Sequence, residues 1–68
     1  MRSSIYVDGV HIKDVEGTYG RSASIAMEDP DILKVLNGRK IFRQDLITIG
    51  DHRTYKFHSL PGLPGNEI

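Results

Sequence analysis

The sequence predicts a small, mainly β fold of the α+β class: an antiparallel β-barrel or sandwich of two hairpins with one short helix. Three observations support this prediction: an Asp-Gly pair inside an apolar stretch at residues 5–12, a second set of apolar segments at residues 40–60, and a capped apolar segment between them. A chain of 68 residues has room for one domain. We expect that domain to span residues 1–60, followed by a flexible tail rich in Pro and Gly at residues 61–68.

The first hairpin is predicted from its turn. Asp8 and Gly9 separate two β-prone tripeptides, and a two-residue type I′ turn needs positive φ at both positions. This turn sets three cross-strand pairs: Val7 with Val10, Ile5 with Ile12, and Tyr6 with His11. We therefore interpret His11 as a half-exposed cross-strand partner rather than a catalytic residue.

The next segment predicts a loop followed by a strand. Residues 13–20 are polar and contain two glycines, which favours a loop. Glycines spaced as in Gly17 and Gly20 also occur in phosphate-binding loops and in single-strand RNA clamps. Those loops open directly onto a helix, whereas residues 22–27 alternate small polar and apolar side chains, as a strand does. Ligand binding at these glycines is the alternative to a plain loop.

The helix is predicted over about two turns, from Pro30 to Leu36. Asp29 can cap its start, proline fits the first helical position, and Gly38 can adopt the left-handed conformation that ends a helix. The apolar side chains form one stripe, which must lie on a sheet or on a neighbour: Ile32, Leu33, Val35 and Leu36.

A second hairpin is predicted after the helix. Its strands are residues 40–43, 46–49 and 54–60. A three-residue loop at residues 51–53 collects the large apolar side chains on one face, with Ile49 opposite Tyr55 and Ile47 opposite Phe57. A four-residue loop would set Ile47 against Lys56, so the three-residue loop is the prediction, with Lys56 and His58 on the outer face.

The composition leaves few ways to stabilise so short a chain. It contains no cysteine, which excludes disulfides and zinc-thiolate sites. The core of a chain below about 80 residues supplies only roughly 3–5 kcal/mol. A partner surface is the remaining source of stability, so we expect a homo-oligomer.

The chemical inventory predicts a protein that is not an enzyme. The three histidines have no short helical ligand spacing, so we expect no metal and no cofactor. Asp51 and His52 are adjacent, but acid–base catalysis needs an enclosing pocket that this core can hardly supply. We interpret that pair as part of a solvated turn.

The charges divide the chain into two parts. Residues 1–38 carry four basic and six acidic side chains, whereas residues 39–60 carry five basic and two acidic ones. This division is either chance on a solvated surface or an acidic half that docks on a neighbour's basic half. Zero net charge makes nucleic acid possible but not favoured. The candidate interaction residues are Arg39, Lys40, Arg43, Arg53, Lys56, Leu60, Leu63 and Ile68.

Parts of the sequence resemble one known family. The matching features are residues 24–29 (SIAMED), residues 45–50 (DLITIG) and residues 55–60 (YKFHSL). With them, residues 22 to 65 resemble the small β-barrel head–tail joining proteins of long-tailed phages, the lambda-type tail-attachment and stopper group. The resemblance implies a structural virion protein that stacks as rings between portal and tail, contacts other virion proteins and has no catalytic residue.

The expected location follows from the same observations. The chain has no apolar run near the 18 or so residues of a membrane span and no apolar block at its start. We expect it in the virion or the host cytoplasm, without membrane contact. The alternative function is a small regulatory interaction module, either a phage-encoded inhibitor or a nucleic-acid-binding β-barrel.

Overall fold

A computed structural model describes residues 1–17 and 28–60 of the chain. They form four strands and one helix: β1 (Arg2–Val7), β2 (Val10–Glu16), α1 (Pro30–Leu36), β3 (Ile41–Ile49) and β4 (His52–Ser59). The predicted fold class, mainly β with two hairpins and one short helix, is confirmed. The strand predicted at residues 22–27 and the tail at residues 61–68 lie outside the described residues.

The four strands form one mixed sheet in the order β2-β1-β4-β3. Each hairpin is antiparallel, but β1 and β4 pair in parallel at the centre, so the two hairpins form one mixed sheet in place of the predicted antiparallel barrel or sandwich. Strands β2 and β3 consequently run in the same direction. The chain between them must return along the sheet, and α1 forms part of that return across one face.

The first hairpin has the predicted turn and most of the predicted register. Asp8 and Gly9 have φ values of 51° and 84°, as a type I′ turn requires. The pairs Val7–Val10 and Tyr6–His11 are confirmed, but Ile5 pairs with Lys13 and not with Ile12. The reason is a register shift between Ile5 and Tyr6, where β2 accommodates one extra residue.

Strand β2 also corrects the predicted loop. Residues 13–16 continue the strand, so the loop prediction is wrong for them. Their polarity fits a strand at the edge of the sheet, where side chains and one row of backbone groups reach solvent. Gly17 follows the strand with φ 85°, and residues 18–20 of that predicted loop lie outside the described residues.

The turn gives a testable prediction at Gly9. Gly9→Val should lower the free energy of unfolding by about 1–2 kcal/mol, because L-residues pay roughly that much at positive φ and β-branched ones are least tolerant. A Cβ atom here meets nothing within 4 Å, so the loss comes from the backbone. Urea unfolding would measure it against Gly9→Asn, since asparagine tolerates this conformation. Equal losses in the two variants would contradict the turn.

The core lies between α1 and one face of the sheet. Its buried apolar residues are Ile5, Val7, Ile32, Leu36, Tyr55 and Phe57. The Asp29 carboxylate accepts hydrogen bonds from the backbone N–H groups of Asp31 (2.9 Å) and Ile32 (3.3 Å), which confirms the predicted cap. At the other end, Asn37 is the left-handed C-cap and Gly38 follows with φ 89°. The apolar stripe is narrower than predicted, since Leu33 and Val35 are exposed.

The second hairpin has a different register from the predicted one. Strand β3 is continuous, and a two-residue turn at Gly50 and Asp51 replaces the predicted three-residue loop. The observed pairs are Ile49 with His52, Ile47 with Thr54 and Leu46 with Tyr55. The predicted register places all large apolar side chains on one face of the sheet. In the structure, Ile47 and Ile49 lie on one face and α1 covers the opposite one. Lys56 and His58 alternate with buried Tyr55 and Phe57, as predicted.

Of the residues that the structure describes, none belongs to a helix with the length and hydropathy needed to cross a membrane.

Candidate functional site

The face of the sheet opposite α1 carries an open concavity of about 560 Å³. Its lining residues are Tyr6, Gly9, Ile47, Ile49, Thr54, Lys56 and His58. We call this surface, with the neighbouring side chains of Phe42, Arg43 and Asp45, the open face. Strand periodicity explains its composition: Tyr6 lies between the buried Ile5 and Val7, and Lys56 lies between the buried Tyr55 and Phe57.

The centre of the open face is apolar. Ile47 is 44% exposed and Ile49 is 74% exposed. Both lie on β3, and Tyr6 from β1 lines the same concavity. Single exposed apolar residues are normal on a protein surface, but neighbouring ones in a concavity are typical of a binding surface.

One end of the open face combines aromatic and charged groups. The ring of Phe42, which is 57% exposed, lies 6.1 Å from the ring of His58 and 6.0 Å from the guanidinium carbon of Arg43. His58 Nε2 lies 2.8 Å from the Asp45 carboxylate, and Arg43 donates to the same carboxylate at 3.4 Å. The bond from His58 lowers the pKa of Asp45 against an opposing effect of burial, with a smaller contribution from Arg43. Asp45 is therefore an ionised group within an otherwise basic cluster.

A serine, a histidine and an aspartate meet on the same side of the sheet, near β2. Ser4 Oγ lies 3.1 Å from His52 Nε2. The Asp14 carboxylate accepts a hydrogen bond from His11 at 2.9 Å, and the bonds from His11 and then Ser4 lower the pKa of Asp14. Ser4 also pairs with Asp14 in the register of β1 and β2, so its hydroxyl has both a histidine and a carboxylate as neighbours.

Metal ligands do not gather within the described ranges 1–17 and 28–60. These ranges hold no cluster of three or more histidine, aspartate or glutamate side chains that could bind a metal ion.

Arg39, one of the candidate interaction residues, holds three parts of the fold together. It donates to the carbonyl oxygens of Leu36 (2.8 Å) and Val35 (2.9 Å) at the end of α1. It also donates to Asp8 in the first turn at 3.3 Å and to Ser59 at the end of β4 at 3.1 Å. Its side chain is therefore committed to internal contacts.

Asp8 is the acceptor at the centre of this junction. It accepts hydrogen bonds from the backbone N–H of Ser59 at 2.9 Å and from the Ser59 hydroxyl. Burial raises the pKa of Asp8, but the two bonds from Ser59 and the charge of Arg39 together outweigh it, so the pKa lies below its ordinary value. Ionised Asp8 therefore stabilises the folded state.

The junction predicts a pH dependence of stability. Because the folded-state pKa of Asp8 lies below 3.8, its contribution is complete above about pH 5 and is lost as pH falls through that folded pKa. Asp8→Asn, which keeps the shape and tolerates positive φ, should therefore weaken the fall in the urea midpoint between pH 5 and pH 3. Asp51→Asn, in the exposed second turn, is the matched control. An unchanged pH profile in Asp8→Asn would contradict the role of Asp8.

The structure separates the candidate interaction residues. Arg43 and Lys56 lie on the open face, whereas Arg53 lies on the helix side, opposite Thr48 in the register. Lys40 and Leu60 are exposed next to the junction that Arg39 forms. Leu63 and Ile68 lie outside the described residues.

Lys13 and Arg39 form ion pairs within one chain. Lys13 binds Asp29 at 3.0 Å and Asp31 at 2.9 Å, and these bonds raise the pKa of Lys13. Arg39 binds Asp8 across the two halves. The bonds of Lys13 lie within the acidic half, so docking of an acidic half on a neighbour's basic half stays a prediction.

Sequence reasoning missed the apolar centre of the open face. The predicted register places Ile47 and Ile49 in the core, and the predicted first hairpin gives Tyr6 only the role of a partner of His11. One signal was present: Leu46 and Ile47 are adjacent, and adjacent residues of a strand point to opposite faces. At least one of them therefore had to leave the helix-covered face.

A scan against protein-family models, a search of curated proteins and a search of solved structures found no match to this chain. The resemblance to head–tail joining proteins accordingly stays a prediction. Residues 1–17 and 28–60 define a small mixed-sheet fold in which α1 covers one face and exposed apolar side chains lie on the other.

Proposed function

We propose that the protein is a structural phage virion protein that acts in head–tail joining through ring assembly and contacts with other virion proteins. The observation that carries the proposal is the open face, where Ile47 and Ile49 are exposed beside Tyr6 in a concavity that α1 does not cover. In this role the protein binds and does no chemistry.

The open face has the layout of a protein-binding surface. Interfaces generally have an apolar centre, enriched in aromatic and aliphatic groups, and a polar rim. Here Tyr6, Ile47 and Ile49 form the centre, and Lys56 and Asp45 lie beside it. A partner that covers the two isoleucines removes apolar surface from water, which favours association by about 25 cal/mol for each Å² covered.

The hairpin of β3 and β4 supports the joining role. In the head–tail joining proteins that the sequence resembles, an acidic residue precedes a β-hairpin. Its first strand has the pattern apolar-Thr-Ile-Gly, and after a turn its second strand begins with an aromatic residue. Residues 45–60 form such a hairpin, with its turn at Gly50 and Asp51. Ile49, the most exposed apolar side chain of the open face, lies directly before that turn. The hairpin tip is therefore a point of contact for a neighbouring virion protein.

Electron microscopy of phage lysates tests this function. If the gene is deleted from the phage that encodes the chain, we expect DNA-filled heads that lie separate from finished tails. Supplying the wild-type chain in the same cells should restore joined particles. Normal tailed particles in the deletion lysate would rule out the joining role.

Single-stranded nucleic acid is the second candidate partner. The observation that favours it is the exposed ring of Phe42 beside the Arg43 guanidinium on a face that also presents Tyr6 and Lys56. Bases stack on aromatic side chains while basic groups neutralise phosphates. Asp45 within the cluster, the internal bonds of Arg39 and zero net charge weigh against this candidate.

Fluorescence anisotropy with a labelled single-stranded oligonucleotide separates the two candidates. Nucleic-acid binding would show affinity that falls steeply as salt is raised from about 50 to 200 mM. Phe42→Ala would then weaken binding, whereas Leu33→Ala on the exposed side of α1 would not. We expect no binding in this assay if the joining function is correct.

A further inference from the structure

Strand β3 lies at one edge of the described sheet. Within the described ranges, β4 is the neighbour of β3 on one side and no strand lies on the other. Backbone N–H and C=O groups at such an edge can pair with another chain. Strand β3 also carries four of the exposed large apolar side chains of the described residues: Phe42, Leu46, Ile47 and Ile49.

Strand β3 carries one feature that discourages pairing, a bulge between Ile41 and Arg43, and its register with β4 is continuous from Arg43 to Ile49. Protein edges are commonly protected by proline, by lysine or by short length. Strand β3 has nine residues and contains neither proline nor lysine. Its charges are Arg43 and Asp45, which are opposite in sign and two residues apart, so they lie on the same face of the strand.

We propose that a second copy of the chain pairs with the edge of β3, antiparallel and about a two-fold axis at Gln44. The pair extends the sheet from four strands to eight. This inference goes beyond the proposed function, which depends on the open face and needs no contact along this edge.

The two charges select the register. An axis at Arg43 would set two arginines opposite each other, and an axis at Asp45 would set two aspartates opposite each other. Directly opposed like charges destabilise a strand pair, and opposite charges stabilise it. With the axis at Gln44, Arg43 of each copy lies opposite Asp45 of the other copy. The two-fold symmetry therefore forms this pair twice, as an isologous contact requires.

The contacts within one chain leave these two groups available. The bond between Arg43 and Asp45 of the same chain is long, at 3.4 Å, and both side chains are substantially exposed. His58 binds one oxygen of Asp45 from within the chain, and an ionised carboxylate accepts several hydrogen bonds. An arginine from a second copy can therefore be added without displacing His58.

A two-fold contact closes on itself. It uses Arg43 and Asp45 at one margin of the open face and does not involve the apolar centre of that face or the edge of β2. Ring assembly in the virion would use those other surfaces. The dimer is tested with purified protein and the joining role with phage lysates. A negative result in one experiment therefore does not contradict the other proposal.

Cysteine cross-linking tests the register directly, because the chain has no native cysteine. In Gln44→Cys the two Cα atoms lie about 4.5–5.5 Å apart across the axis, within the range of a disulfide. In Thr48→Cys they lie about 26 Å apart, at roughly 3.3 Å for each residue from the axis. We expect a disulfide-linked dimer under mild oxidation from Gln44→Cys and none from Thr48→Cys. A dimer from Leu46→Cys in preference to Gln44→Cys, or a strictly monomeric wild-type protein, would overturn the proposal.

Charge exchange tests the pairing independently. By analytical ultracentrifugation, Arg43→Asp and Asp45→Arg should each weaken the dimer roughly tenfold. The double variant, with both substitutions, should recover near wild-type dimerisation because the two pairs re-form with reversed sign. Because the double variant also restores an opposite-charge pair within each chain, urea unfolding of the same variants measures that internal effect separately from dimerisation. A double variant as weak as Asp45→Arg would contradict the register.

Discussion

Replacing Phe57 with alanine should lower the free energy of unfolding by about 3–5 kcal/mol, the range for a buried phenylalanine. Phe57 is fully buried, packs its ring parallel to that of Tyr55 and belongs to the cluster that α1 covers. A chain this short has roughly 3–5 kcal/mol of stability in total. We therefore expect circular dichroism at 25 °C to show a largely unfolded Phe57→Ala variant, while Phe57→Leu should stay folded with a lowered urea midpoint.

Ile47→Ala is the control for the register of the second hairpin. In the observed register Ile47 lies on the open face and is 44% exposed, so its loss should lower the free energy of unfolding by less than about 1 kcal/mol. Had Ile47 been opposite Phe57 in the core, truncation would remove about 2–5 kcal/mol. Comparable losses in Ile47→Ala and Phe57→Ala would contradict the observed register.

Leu36→Ala should have the second largest effect, a loss of about 2–5 kcal/mol in the free energy of unfolding. Leu36 is 1% exposed and belongs to the core cluster at the last turn of α1. Its removal leaves a cavity where the helix meets the sheet. A helix of seven residues does not hold in water without such contacts.

Leu33→Ala is the matched control in the same helix. Leu33 is 43% exposed, and leucine and alanine have similar helix propensities. Its replacement should therefore change the free energy of unfolding by no more than about 0.5 kcal/mol. Equal losses from Leu33→Ala and Leu36→Ala, measured by urea unfolding, would contradict the orientation of α1.

The features that the sequence predicted correctly are local. The Asp8-Gly9 turn, the Asp29 cap and the left-handed ending at Gly38 each depend on residues within a few positions of one another. Their conformational preferences act in the same way in any fold. The fold class followed from these signals because two hairpins and one short helix leave few arrangements for a short chain.

The features that the sequence failed to predict depend on contacts between distant segments. The parallel pairing of β1 with β4 joins residues about fifty positions apart. The register of β3 with β4 was inferred from maximal apolar overlap, but Gly50 with Asp51 can form a shorter turn, and α1 needs only one covered face. Because β3 has apolar residues on both faces, the local sequence is compatible with either register. The correct register depends on contacts across the whole sheet.

The candidate site was predicted only in part. Charge placed Arg43 and Lys56 among the interaction residues, and both lie on the open face. Charge also selected Arg39, whose guanidinium instead joins the helix end to Asp8 and Ser59. Sequence position cannot distinguish a basic side chain that binds a partner from one that forms contacts within its own chain, because both appear as a positive charge near a strand.

Complementation of the deleted phage tests the central claim, that the open face performs the joining function. Lys56→Glu reverses the charge of the open face, and Lys34→Glu makes the same change on the exposed side of α1. Both variants should fold, since both lysines are exposed. The count of joined particles by electron microscopy should fall with Lys56→Glu and match wild type with Lys34→Glu. Full joining by a folded Lys56→Glu variant, or equal losses in the two variants, would contradict the assignment of function to the open face.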